Sequence, residues 1–233
     1  MKPDVIVAWP RHADYPLWRA FIRDERERFG QVIVAFTEHT GYDYRPFIVA
    51  NLPDVRLIDV PVSANDWRDD AVNAALDVSD AEWVWFTEQD FLIADPPTFF
   101  PHLIAIAGAN GAAGWFDHYR WHPSCLLVHR ERIEATSRYF GPVPFDHFAR
   151  FSAELGPVGD IGPEGWEHLA GLSHNHWLHE STGTLDTPGI YERERFVRYL
   201  ADCLAADVAL DPHWATIARG GIRWPRSRML STP

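Results

Sequence analysis

Four apolar runs dominate the first ninety residues: 4–9 (DVIVAW), 31–37 (QVIVAFT), 55–60 (VRLIDV) and 82–87 (EWVWFT). Their β-branched and aromatic residues fall at consecutive positions rather than at alternate ones. A strand that is apolar on both faces must be covered on both, which is the condition inside a parallel sheet sandwiched by helices. The residues between the runs supply those helices. Asp14 is placed to cap one, with Pro16 in its first turn, a stripe of Leu17, Trp18, Phe21 and Ile22, and Gly30 as its stop. Residues 66–79 form the next, with Trp67, Ala71, Ala74 and Val78 along one stripe and Asp70, Asn73 and Asp77 along another. Strands alternating with helices make βαβ units, hence an α/β fold with a mostly parallel central sheet flanked by helices.

After residue 110 the pattern changes. Short strands are expected at 112–116 (AAGWF) and 124–130 (SCLLVHR), and helices from Glu131 and over 144–155. Residues 156–190, rich in Gly, Pro and His, read mostly as loop; the closing helix carries a stripe of Phe196, Leu200, Cys203 and Leu204. With 233 residues, 46% of them hydrophobic, the chain suits a single domain in three stretches. Residues 1–110 are the regular half, 111–190 a smaller extension, and 191–233 the C-terminal helices with a basic tail.

Charge and cysteine usage remove several functions. A formal net charge of -12 repels polyphosphate backbones, and the basic cluster Arg219, Arg223, Arg226 and Arg228 reads as a solvated tail. Cys125 and Cys203 share no metal-type spacing and make no disulfide framework, which fits a reducing cytosol. The N-terminal apolar run of about six residues is too short for a secretory signal, and no window approaches a membrane span. A cytoplasmic location without a transmembrane segment is therefore expected. Phosphate-loop and dinucleotide fingerprints are absent, against kinases and nicotinamide dehydrogenases.

The fourth run ends in Glu88-Gln89-Asp90, within AEWVWFTEQDFLIADPP at residues 81–97. Two readings compete: an acidic surface turn, or a divalent-cation site. Ligands of parallel α/β sheets bind beyond the carboxyl ends of the strands, and these acids stand at one. Mg²⁺ or Mn²⁺ takes one or two carboxylates and fills its other positions with water and phosphate oxygens.

The run DDAVNAALDVSDAEWVWFTEQDF resembles the nucleotide-sugar-binding half of GT-A fold glycosyltransferases, particularly those of glycosyltransferase family 2. In that family an Asn-bearing helix packs under the donor, and the next strand ends in an Asp-x-Asp motif that binds the metal and the donor diphosphate. The resemblance spans residues 4 to 155 in element order. It puts Asn73 at the helix Asn and Asp90 at the last Asp, with Glu88 replacing the first. It implies a nucleoside diphosphate-sugar as donor, a hydroxyl acceptor and Mn²⁺ or Mg²⁺. Residues 1–110 are then the nucleotide-sugar-binding half and 111–190 the acceptor side. Trp9, Pro10 and Arg11 would face the nucleobase, Asp59 the nucleoside, and Arg68, Gln89 and Glu88 would join Asn73 around the donor. Core packing for Trp9 and a turn role for Asp59 stay open.

The segment YFGPVPFDHFARF resembles the acceptor side of inverting members, where an acid before a helix serves as general base. Asp146 holds that place, equally suited to capping the helix, and Asp117 is the second candidate. The aromatic loop GWFDHYRWHP supplies Trp115, Tyr119 and Trp121 for a sugar acceptor, joined by Trp166; a nucleobase acceptor is not excluded. Four of the 12 histidines crowd residues 168–179, with neither His-Glu-x-x-His nor a cysteine partner to make a zinc hydrolase. GT-A enzymes often complete the metal site with a His from a C-terminal segment, which implies His174 or His176 here. Two other functions stay open: a non-catalytic sugar-binding domain of the same fold, and a sugar-nucleotide nucleotidyltransferase. The latter usually carries a Gly-rich loop after the first strand, where this chain has WPRHADYP.

Overall fold

The computed structural model describes residues 1–10, 16–37, 45–61, 67–117, 119–141, 147–162, 164–168 and 190–219. In chain order the strands are β1 (Asp4–Pro10), β2 (Val32–Thr37), β3 (Arg56–Val60), β4 (Trp83–Thr87), β5 (Phe91–Ile93), β6 (Ala112–Asp117), β7 (Arg120–His129), β8 (Gly159–Asp160) and β9 (Trp166–His168). The helices are α1 (Pro16–Asp24), α2 (Arg45–Asn51), α3 (Trp67–Val78), α4 (Pro96–Asn110), α5 (Arg130–Glu134), α6 (Ala149–Leu155), α7 (Ile190–Ala205) and α8 (Pro212–Ala218). Seven strands form one sheet in the order β3-β2-β1-β4-β7-β6-β8, and β5 pairs with β9 in a second. The half from β3 to β4 is parallel throughout; β7 runs antiparallel to both β4 and β6, and β8 lies parallel to β6.

Consecutive apolar residues in the parallel strands serve two layers, as the sequence predicts. Val5, Val7, Val32, Val34, Phe36 and Trp85 face one core, which α1, α4, α7 and α8 close with Trp18, Ile22, Phe100, Leu103, Leu200 and Trp214. Ile6, Ile33, Ala35, Val84 and Phe86 face the other, closed by α3 and α6. β3 is the exception: of its residues only Val60 is buried, because it forms the edge and has a neighbour on one side.

Several elements differ from their expected form. The buried stripe of α3 is Ala71, Val72, Ala75 and Leu76, with Ala74 and Val78 at its margin, because the helix lies flat on β1 and β2 and needs a broad stripe. α1 ends at Asp24, well before Gly30. That glycine instead lies against β1, where a Cβ would fall 2.4 Å from Asp4 Oδ1. α4 is not expected from the sequence, because three prolines and an almost uniformly apolar composition hide its period; prolines at its start and Gly111 in the left-handed region (φ 75°) bound it. Residues 115–117 and 119–122, expected within an aromatic loop, instead belong to the hairpin of β6 and β7, with a register shift between Gly114 and Phe116. No side chain fits at Gly114, where a Cβ would sit 2.7 Å from the Cys125 carbonyl oxygen. The expected loop 156–190 contributes β8 and β9, two strands too short to carry a period.

Candidate functional site

β4 delivers Glu88 to the carboxyl end of the parallel half, and the backbone N–H of Phe91 closes the Glu88-Gln89-Asp90 turn onto the Glu88 carbonyl at 3.1 Å. Gln89 and Asp90 are buried in this turn. Two other strands converge on it. β7 runs beside β4, with Thr87 opposite Cys125, so Ser124 and His122 reach the Glu88 carboxylate. β5 continues from the turn and pairs Phe91 with His168 of β9. His168 Nε2 thereby lies 3.5 Å from Asp90 Oδ1 and 3.9 Å from Glu88 Oε2.

Glu88 is 16% exposed, and its two oxygens have different partners. Oε1 pairs with Arg68 Nη1 at 2.5 Å. Oε2 accepts the Ser124 hydroxyl and lies 3.8 Å from His122 Nδ1. Burial alone would raise the Glu88 pKa, but Arg68, then His122, His168 and the Ser124 bond together bring it down to about 2. His122 is pushed down to about 4, chiefly by burial, with Glu88 opposing and Arg120 adding to the fall. Its ring is therefore neutral near pH 7. The Ser124 N–H donates to Nδ1 at 3.2 Å, so the ring proton resides on Nε2 and the Nδ1 lone pair is engaged by that N–H. For His168 burial works downward, but the Asp90 carboxylate and then Glu88 outweigh it and raise the pKa.

Ligand atoms of Glu88, His122 and His168 all lie within 4.8 Å of one another, and Asp90 borders them. One carboxylate and two imidazoles that converge, with a second carboxylate at their border, form a donor set that can hold a divalent cation. Beneath it lies Trp115, whose ring centroid is 4.4 Å from that of His122, 5.4 Å from His168 and 4.6 Å from Trp166. Trp166 stacks on Phe91 at 5.1 Å and donates Nε1–H to the Gly162 carbonyl. Trp115 and Trp166 thus pack the floor of the site. Tyr119, 59% exposed at the hairpin tip, and half-buried Trp121, 4.9 Å edge-on to Phe116, stand beyond it.

The other residues singled out in the sequence fall as follows. Arg68, Thr87 and Glu88 line a small cleft with Ala8, Pro123 and Phe148. Asn73 lies on α3, where its amide group bonds Asp69 and Arg138 and helps hold the segment 138–140. Asp59 is exposed on the edge strand and pairs with Arg45 at 2.6 Å. Asp117 ends β6, where its charge adds a small upward pull on both imidazoles, against the net fall at His122 and with the rise at His168. Trp9 and Pro10 end β1, where the backbone alone is described; Arg11, Asp146, His174 and His176 lie outside the described residues. Sequence reasoning did not assign His122 or His168 to the cation. For His122 a signal existed: Arg120, His122 and Ser124 alternate at period two into an apolar strand, which is three polar groups on one face. His168 is the first of the four clustered histidines, whereas the resemblance points to His174 or His176.

No protein-family model matches the chain, and no curated protein does. Solved structures do. S. aureus TarS aligns with 93% of this chain at 11% identity and a TM-score of 0.54, and this chain spans 50% of that one. A shorter TarS in complex with UDP-GlcNAc aligns with 94% of this chain at 14% identity and a TM-score of 0.53, over 70% of its own length. The glucosyl-3-phosphoglycerate synthase of Mycobacterium tuberculosis, in complex with Mg²⁺ and uridine diphosphate, gives 13% identity and a TM-score of 0.51, covering 76% of this chain and 78% of its own. The fold is the GT-A glycosyltransferase fold. No helix among the described residues is long and apolar enough to cross a membrane.

Proposed function

We propose that this chain is a metal-dependent glycosyltransferase that moves a sugar from a nucleoside diphosphate-sugar to a hydroxyl acceptor. One observation carries the reading: in a GT-A fold, the buried Glu88-Gln89-Asp90 turn ends β4 at the carboxyl edge of the parallel strands, with His168 against Asp90. UDP-GlcNAc and uridine diphosphate with Mg²⁺ are bound by structures of this fold, which supports such a donor here. Glu88, Asp90 and His168 would hold the cation, Mn²⁺ or Mg²⁺, beside Arg68. Such a cation neutralises charge gathering on a departing diphosphate.

The chain's own groups supply the rest. The acceptor hydroxyl loses its proton to a carboxylate as its oxygen bonds the anomeric carbon, while the bond from that carbon to the diphosphate oxygen breaks. Asp146 is the candidate base and inversion the expected outcome. Two residues beyond it, Phe148 lines the Arg68–Glu88 cleft, and Arg120 donates to the His147 carbonyl at 2.5 Å. Asp117 is the second candidate base. Tyr119 and Trp121 offer ring faces to an acceptor saccharide. The absence of a membrane-spanning helix among the described residues is compatible with cytoplasmic work.

The test is release of free diphosphate from a panel of uridine and guanosine sugar nucleotides with Mn²⁺ or Mg²⁺, with chirality read at the product anomeric carbon. Metal-dependent release abolished by Asp90→Ala is the expected result. Binding without turnover, unaffected by chelation, would instead indicate a sugar-binding domain in which the Arg68–Glu88 pair replaces the cation. Pyrophosphate release from nucleoside triphosphates would indicate a nucleotidyltransferase.

A further inference from the structure

We propose that the cavity between the start of α4 and the β8–β9 connection binds a small organic cation, an ammonium group carried on a compact body. None of the residues lining it belongs to the site around Glu88, and the proposal does not rest on sugar transfer. The cavity measures about 530 Å³, within the ~300–1,000 Å³ of small-molecule sites. Phe99 and Ile161, each 4% exposed, form its apolar inner wall. Asp95, Thr98, His102 and Glu164 place polar groups around it.

The backbone around the cavity is already committed. A helix start leaves four N–H positions without intrahelical partners. In α4 two of these are Pro96 and Pro97, which have no N–H, and Thr98 and Phe99 donate theirs to the Asp95 carbonyl at 3.2 and 2.9 Å. On the opposite wall the Gly165 carbonyl accepts the Ala94 N–H at 3.0 Å, and the Gly162 carbonyl accepts Trp166 Nε1–H at 2.9 Å. A ligand therefore meets side chains. Asp95 stands at the N-cap of α4 but does not turn its carboxylate back to cap the helix. Among the described residues, neither its carboxylate nor that of Glu164 has a hydrogen-bond or ion-pair partner.

These groups select among ligand classes. An anion would face two carboxylates, no Lys or Arg in the lining, and a helix start with no free N–H. A bare divalent ion needs ligands that converge; Asp95, His102 and Glu164 do not gather within 4.8 Å as Glu88, His122 and His168 do. An organic cation satisfies both kinds of wall: its ammonium answers the carboxylates, and its body lies against Phe99 and Ile161. The glycines leave it room. Gly162 has φ 69°, and a Cβ there would meet nothing within 4 Å. At Gly165, with φ 84°, a Cβ would meet only Phe99 Cδ2, at 3.8 Å. Both positions favour glycine by their left-handed backbone, so this wall carries no side chain into the cavity.

The experiment titrates phenethylamine into the full chain by calorimetry, beside its neutral isostere phenethyl alcohol and the anion hydrocinnamate. Saturable binding of the amine, at least ~10-fold tighter than the alcohol and weakened by added salt, is expected, with no binding of the anion. The double variant Asp95→Asn/Glu164→Gln, at two exposed positions, should lose that ~10-fold preference. Proton NMR of the wild type gives a second measurement, in which the amine must shift the Phe99 ring and the His102 imidazole. Glucosamine identifies the source of the ammonium: tighter binding than phenethylamine assigns the site to an amino sugar, weaker binding to an apolar amine. Equal binding of amine and alcohol, binding of hydrocinnamate, glucose bound as tightly as phenethylamine, a preference retained in the double variant, or an unshifted Phe99 would each overturn the proposal. Sugar transfer is judged separately. Diphosphate release without amine binding sinks this inference and leaves transfer standing; amine binding without release does the reverse.

Discussion

β2 and β7 are both buried along most of their lengths, but with different contents. β2 is VIVAFT, flanked by parallel neighbours and covered by helices on both sides. β7 opens with Arg120, His122 and Ser124, all buried, before its apolar stretch Cys125 to Val128. Burying polar groups costs stability unless partners are supplied. Here they are: Arg120 donates to the His147 carbonyl, and Ser124 to Glu88. Burial in the parallel half therefore reflects cohesion, whereas at the seam between β4 and β7 it assembles a set of charged and basic atoms. The two regions should respond to different perturbations.

The largest expected effect is at the seam. Asp90→Ala should lower diphosphate release by about 10²–10³-fold, measured in a coupled turnover assay, with an unchanged far-ultraviolet spectrum. In the parallel half, Ile33→Ala removes a fully buried side chain from the α3 layer. It should cost about 2–5 kcal/mol in denaturant unfolding while turnover per folded molecule is retained. Equal loss of turnover in Ile33→Ala would erase the distinction between the regions.

Acid provides a third comparison. His122 has a depressed pKa of about 4, so the unfolded chain binds its proton first and stability falls as pH drops from about 6.5 through about 4. Glu88 adds a second loss as pH falls from the ordinary carboxylate range toward about 2. His168 acts oppositely: its raised pKa contributes stability below about 6.5 that is lost as pH rises through the folded value. In metal-free protein the His122 step should amount to about 3 kcal/mol by thermal unfolding across pH, and His122→Gln should flatten it. A profile unchanged in the variant would assign the acid step elsewhere.

Smaller effects sharpen the boundary. Asn73→Ala removes the bonds from α3 to Arg138, an expected loss of about 1–2 kcal/mol in unfolding free energy. A raised KM for the donor without that loss would give Asn73 a donor role instead. Tyr119→Ala, at the exposed hairpin tip, should change stability by less than about 0.5 kcal/mol and raise only the acceptor KM.

The parallel half was readable because its information is local. Runs such as DVIVAW and QVIVAFT carry their own burial pattern, and crossovers through helices limit how they can be arranged. Even there β3, expected to be buried on both faces, is buried only at Val60, because edge position is a property of the whole sheet. In the second half β8 and β9 have two and three residues, and pairing rather than sequence period makes them strands. Residues 119–123 read as a loop because Arg120, His122 and Pro123 interrupt any strand pattern, although β7 accommodates all three in its hairpin with β6.

By itself the sequence determined the four-run parallel sheet and the acids that end its fourth strand, since period and turn position are written along the chain. Only the tertiary structure decided which histidines meet those acids. His122 arrives through antiparallel pairing of β7 with β4, and His168 through pairing of β9 with β5. The reason is physical: a strand's period says which faces are apolar, but a ligand set drawn from three strands exists only once long-range backbone hydrogen bonds have brought those strands together.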